Sequence, residues 1–230
     1  MNRRERRAAK VTARSENIDR VIAVHEAGHA VARFLTAGDL GFSADDAISY
    51  IEIAPDSAVT KSIDKRMYFR MQATTFGPML SREIQEAFKE ECTRLGGLSG
   101  RAAFEALSGI ITMARSAGID VNKWLRAKSL ISVFGAAAEA RYISKSFEDV
   151  WNSYECENDR RDAVQDCMIG GTTEVDDIDT VIKEAEAAAE NLIKRPEVWR
   201  AIVALADSLP AVGKFQGKKA AAIIKSAMKD

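Results

Sequence analysis

The sequence predicts a mainly α protein with a small β element, an α+β class. Three observations predict it. Stretches such as 120–144, 175–194 and 196–208 read as helices, with Gly170-Gly171 ahead of the second and Pro196 opening the third. A single segment, "AISYIEIAP" (47–55), alternates apolar and polar residues and stops at Pro55, which is a strand signal. The chain has 230 residues and is 47% hydrophobic, enough for a sizeable core, with no internal repeat and no long linker.

Taken in order, "MNRRERRAAKVTAR" (1–14) lacks the apolar centre of a secretory signal and is expected as a basic, solvated, disordered arm. Residues 15–230 are expected as one domain. Its first helix contains "VIAVHEAGHAVARFL" (21–35). Ser15 or Asn17 can cap its start, and Ile18, Val21, Ile22, Val24, Val31, Phe34 and Leu35 give the helical apolar pattern. Gly38 offers a left-handed stop. After the strand, helices are expected near 81–95, stopped by Gly96-Gly97, and over 99–117 and 120–144. Further helices are expected over 158–169, stopped by Gly170-Gly171, over 175–194, from Pro196 to about 208, and from about 217 to 228.

Composition excludes several classes of partner. A net charge of −1 points to neither nucleic acid nor an acidic membrane surface. No apolar run reaches the ~18 residues of a membrane-spanning helix. Cys92, Cys156 and Cys167 are odd in number and show no C-x-x-C spacing. They fit buried, reduced thiols in a cytoplasmic protein.

The chemistry concentrates in the first helix. His25, Glu26 and His29 form H-E-x-x-H, and the chain has no other histidine. At this chain's own residue frequencies such a motif arises by chance on the order of one time in a thousand. Positions four apart lie about 40° apart around a helix, so both imidazoles share one side. Two neutral imidazoles can hold Zn²⁺, and Glu26 is placed to act as general base toward the attacking water. Gly28 lies between the histidines although glycine costs about 1 kcal/mol in a helix interior, which implies that something packs closely there.

A catalytic zinc takes three protein ligands. Six residues after His29, where one zinc-peptidase class has a third histidine, this chain has Leu35. The third ligand must therefore be an acid or a cysteine, and Glu52, Glu139, Cys156 and Asp159 are all candidates by sequence. As a plain structural residue, Asp159 would be a helix N-cap beside Asn158, and Glu139 an exposed helix glutamate. Leu192, Trp199 and Leu205 are expected in the core.

"HEAGHAV" followed by "ISYIEIAP" resembles the peptidase domain of FtsH, the membrane-anchored AAA protease family. "LISVFGAAAEARY" (130–142) is similar to that family's Gly-Arg-Ala-Ala-Glu-Glu helix, with Gly135, Ala137, Ala138 and Glu139 matching. The family's arginine is Ala136 here and its second glutamate is Ala140. "ENDRRDAVQDC" (157–167) resembles the family's Asn-Asp element, whose aspartate is the third zinc ligand, and the match puts that role on Asp159. "AENLIKRPEVWRAIVALADSL" and "FQGKKAAAII" look like the family's closing helices. The likeness covers about 18–54 and 129–225, leaving 55–128 as an unmatched segment expected to be a helical insertion. Within it, "LSGRAAFEAL" (98–107) copies part of the Gly-Arg-Ala-Ala motif but lacks the Asn-Asp follow-up.

The resemblance implies an FtsH-peptidase-like helical domain built around the H-E-x-x-H helix, with zinc on His25, His29 and Asp159, Glu26 as base and Glu139 behind the ligands. The implied activity is a zinc metalloendopeptidase acting on peptides or unfolded protein, which the 47–54 strand would hold by edge pairing. No G-x-x-x-x-G-K-[ST] is present, since "GKFQGKK" (213–219) has no Ser or Thr after its lysines, so ATP-independent hydrolysis is expected. A homo-oligomer and a separate ATPase partner are both left open. The altered residues at 136 and 140 and the unmatched segment leave an alternative, a catalytically inactive zinc-binding interaction protein derived from such a peptidase.

Overall fold

The computed structural model describes residues 20–55, 65–70, 120–170, 172, 174–209 and 213–229, with isolated positions at 109, 112, 115, 116 and 118. The described residues are mostly helical, with one small sheet. The arm at 1–14, the caps proposed at Ser15 and Asn17, and the helix expected over 81–95 lie outside them. Of the helix expected over 99–117, positions 109, 112, 115 and 116 are helical.

Helix α1 (20–35) carries the H-E-x-x-H motif. The chain does not turn left-handed at Gly38, as expected from the sequence. It continues through a 3₁₀ turn, Ala37–Leu40, and Gly41 takes the left-handed conformation with φ 78°. The Thr36 hydroxyl donates to the Ala32 carbonyl at 2.9 Å, satisfying one group at the helix end.

Strand β1 (Tyr50–Pro55) starts three residues later than the alternation suggests. Ala44–Asp46 forms a second 3₁₀ turn, and Ala47 and Ile48 enter the core as apolar residues outside any strand. Strands β2 (Lys65–Arg70) and β3 (Gly213–Gln216) pair antiparallel with β1 in the order β2-β1-β3. Ile51 stands opposite Phe69 on one side and Phe215 on the other. Two expectations are corrected here. The 55–128 segment is not simply helical, because β2 lies in it. Substrate cannot pair with β1 over Tyr50–Ile53, because both of its edges there are occupied by β2 and β3.

Helix α2 (Val121–Ile143) is the central element. The Asp120 side chain caps it by accepting from the Lys123 N–H at 3.0 Å. Its buried residues are distributed around the axis, from Trp124 and Phe134 to Ala138, as expected of a helix packed on several sides. A short helix α3 (Phe147–Trp151), not foreseen from the sequence, is followed by α4 (Glu157–Ile169), α5 (Val175–Lys194) and α6 (Pro196–Ser208). Pro196 stands in the first turn of α6, where its missing N–H costs nothing. Helix α7 (Gly217–Ala227) follows β3 directly. Gly217 is required at that junction: a Cβ there would overlap the Ile48 carbonyl, and its N–H donates to the Ser49 carbonyl at 3.0 Å.

Ile202, Leu205 and Ile224 from α6 and α7 are completely buried in the core, with Leu192 and Trp199 packed at its border. The Arg141 guanidinium lies 4.2 Å from the Trp199 ring centroid and donates to the Ile193 carbonyl, joining α2 to α5 and α6. No helix among the described residues is long and apolar enough to cross a membrane.

Helix α1 packs tightly against α2 at Gly28. A Cβ there would lie 2.9 Å from the Ala138 Cβ, 2.9 Å from the Phe134 carbonyl oxygen and 3.2 Å from the Gly135 Cα. Two of these three neighbours are backbone atoms that cannot swing away. Gly28→Ala would gain about 1 kcal/mol of helix propensity but lose about 1–3 kcal/mol to overpacking, and overpacking should win. Urea unfolding should therefore show Gly28→Ala less stable than the parent, whereas Gly38→Ala, with nothing within 4 Å, should change stability much less.

Candidate metal centre

Three side chains from two helices converge above the backbone of a third. Helix α1 presents His25 and His29 toward α2, and they are 9% and 7% exposed. The first turn of α4 brings in Asp159. His25 Nε2 is 3.0 Å from Asp159 Oδ2, His29 Nε2 is 3.4 Å from Asp159 Oδ1, and the two Nε2 atoms are 3.1 Å apart. Ligand atoms on a tetrahedron with bonds of about 2.0–2.1 Å are about 3.3 Å from one another, so the spacing fits one small cation.

The outer nitrogens explain why the inner ones face this way. His29 Nδ1 lies 2.7 Å from the Ile131 carbonyl oxygen, which can only accept, so Nδ1 carries the hydrogen. His25 Nδ1 lies 2.9 Å from Glu139 Oε2 and donates to that carboxylate. In a neutral imidazole with Nδ1–H, Nε2 is a lone pair. Two lone pairs and a carboxylate thus meet at one point, and only a proton or a cation can lie between them. This pattern, in which each metal-binding histidine donates its second nitrogen to a carbonyl or carboxylate, orients imidazoles for metal.

The α2 backbone forms the floor. A Cβ at Gly135 would come within 2.8 Å of His25 Nε2 and closer still to His29 Nε2, so it would occupy the space where a cation shared by the rings belongs. Only glycine leaves that space open.

The electrostatics agree with this arrangement. Burial by itself lowers both histidines, but at His25 it is outweighed by the hydrogen bonds that the protonated ring donates to Asp159 and Glu139, with the charges of Asp159 and Glu26, and that imidazole is held well above its usual value. His29 is raised too, because burial is outweighed by the charge of Asp159, the hydrogen bond to it and the charge of Glu26 acting together. Burial alone would raise Asp159, yet the two imidazoles hold its carboxyl far below the usual carboxylate range. Burial pushes Glu26 up to about 7, against the lowering effect of His29 and His25. A carboxyl held near neutrality is matched to taking and returning a proton.

Among the other candidates for third ligand, Cys156 is fully buried and its thiol is pushed up to about 11 by burial, so it carries its proton where Asp159 is already ionised. Glu139 and Cys156 form a second group with His25, their ligand atoms lying within 4.8 Å of one another. The side chain of Glu52 lies outside the described residues. Asp159 is not the helix N-cap: Cys156 holds that position and Asp159 is the third residue of α4, where a carboxylate still gains from the helix dipole. Sequence reasoning did not identify the Ile131 carbonyl or the space kept by Gly135. A carbonyl carries no residue signature, and the histidine contacts of Gly135 arise only from the helix crossing.

No protein-family model matches the chain, and neither does any curated protein.

The metal-free protein should show a distinct pH dependence. Glu26 binds its proton more tightly when folded, so stability falls as pH rises from about 4.5 through about 7. The raised His25 adds stability that is complete below pH 6.5 and is lost as pH climbs through its higher folded value. The lowered Asp159 acts in the opposite sense, but only as pH falls below about 3.8. Urea unfolding with a chelator present should therefore show lower stability at pH 8 than at pH 5.5, and Glu26→Gln should flatten part of that slope. Equal stability of the parent at both values would contradict these assignments.

Proposed function

We propose that the chain is a zinc metallopeptidase of the FtsH type that hydrolyses peptide bonds in flexible or unfolded polypeptide without ATP. The observation that carries the proposal is the meeting of His25 Nε2, His29 Nε2 and the Asp159 carboxylate at close to tetrahedral spacing, with Glu26 next to His25 in the chain. Two imidazoles and one carboxylate are the ligand set of an open, catalytic zinc site. Bound there, zinc would acidify a water and polarise the scissile carbonyl.

The chain's own residues do the rest. Glu26, one residue on from His25, takes a proton from the attacking water and passes it to the leaving amine. Glu139 and the Ile131 carbonyl hold the two imidazoles in the tautomer that points Nε2 inward. The two positions where α2 departs from the resembled motif, Ala136 and Ala140, are both buried in the core. Those departures lie in packing, which favours activity over the inactive binding-protein alternative.

About one zinc per chain is expected by elemental analysis. His29→Ala and Asp159→Ala should lose it, and Glu139→Ala should weaken it about 10–100-fold. Glu26→Gln should keep the metal while hydrolysis of an unfolded protein falls about 10²–10⁴-fold. Full zinc in His29→Ala would remove the site, and parent-rate cleavage by Glu26→Gln would remove the mechanism.

Access supplies a second test. Both edges of β1 are taken over Tyr50–Ile53, so substrate must reach the zinc by a route other than pairing there. Purified chain should cleave a loosely folded protein well and a tightly folded one poorly, with ATP changing neither. Stimulation by ATP would contradict the proposal.

A further inference from the structure

His25 belongs to two groups of ligand-type side chains. Nε2 faces His29 and Asp159. Nδ1 faces Glu139 at 2.9 Å, and a ring nitrogen of His25, the Glu139 carboxylate and the Cys156 thiol lie within 4.8 Å of one another. Cys156 is fully buried, and nothing in the proposed peptidase chemistry uses it.

We infer that His25, Glu139 and Cys156 form a second cation subsite, selective for thiophilic ions, that competes with zinc for His25. Nitrogen, carboxylate and sulfur together suit a softer ion than the nitrogen and oxygen set of the first site. Loading the subsite expels the Cys156 thiol proton to solvent, because a coordinating thiol is deprotonated outright. It also takes the place of the hydrogen on Nδ1. That hydrogen moves to Nε2, where Asp159 Oδ2 at 3.0 Å is already placed to accept it. In this tautomer His25 keeps a hydrogen bond on one side and a metal on the other, but it no longer offers Nε2 to zinc. The first site is then left with His29 and Asp159 alone, so a soft ion inhibits by removing one zinc ligand and does not touch the substrate.

The subsite goes beyond the peptidase proposal and can be tested apart from it. Protein with Cys92→Ser and Cys167→Ala, so that Cys156 is its sole thiol, is loaded with zinc and titrated with Cd²⁺. Ultraviolet absorption reads thiolate-to-cadmium charge transfer, and a metal-sensitive dye reads released zinc. The band should appear and saturate at one Cd²⁺ per chain, with zinc released in step. Cys156→Ser and Cys156→Ala, checked as folded by circular dichroism, should lose the band. His29→Ala should keep it, since His29 is in the first site only, and this arm holds even if the first site binds no zinc. Absence of the band, or a band that survives both Cys156 variants, would overturn the subsite. Zinc that stays bound while the band saturates would overturn the competition.

Discussion

The Nδ1–H groups of His25 and His29 are both committed, one to the Glu139 carboxylate and one to the Ile131 carbonyl, and both acceptors lie on α2. A neutral histidine whose outer nitrogen donates must present a lone pair from its inner one. The α1–α2 crossing therefore does more than bury apolar surface. It sets the tautomer of both imidazoles and aims two lone pairs at one point, where α4 supplies a carboxylate. Without a cation or proton that point would be a costly collection of like acceptors in a largely buried setting. The site makes physical sense as a binding place for positive charge.

The crossing depends in turn on two residues without side chains. Gly28 lets α1 approach the backbone at Phe134 and Gly135, and Gly135 leaves room for the imidazole edges. Alanine continues the same logic along α2, where Ala136, Ala137, Ala138 and Ala140 are all buried. Close packing keeps the outer hydrogen bonds short, and short hydrogen bonds fix the rings. The stability of the pair and the geometry of the site are thus one property, and a change that pushes the helices apart would damage both.

Much of this was legible in the sequence, for identifiable reasons. Helices α5 and α6 begin and end where periodicity and Pro196 placed them, because each has one clear apolar stripe on which local and tertiary preferences agree. His25, Glu26 and His29 were legible because helical spacing alone puts the histidines on one side. Asp159 was reached only through the resemblance, since spacing could not separate it from Glu139 or Cys156. Strand β3 was not legible. Its four residues, Gly213–Gln216, have no alternating pattern of their own and are strand because β1 offers an edge. The same pairing removed β1 as a place for substrate, a fact about neighbours that no single segment carries. Helix α3 is only five residues long, too short for a period to show.

The most direct test of the central claim is zinc X-ray absorption on the purified, zinc-loaded protein, which reads the kind and distance of atoms bound to the metal. The arrangement of His25, His29 and Asp159 predicts a first shell of nitrogen and oxygen only, at about 2.0–2.2 Å, including two imidazoles and no sulfur. A sulfur at about 2.3 Å would put Cys156 in the primary site, and a shell with fewer than two imidazoles would contradict the convergence on which the account rests.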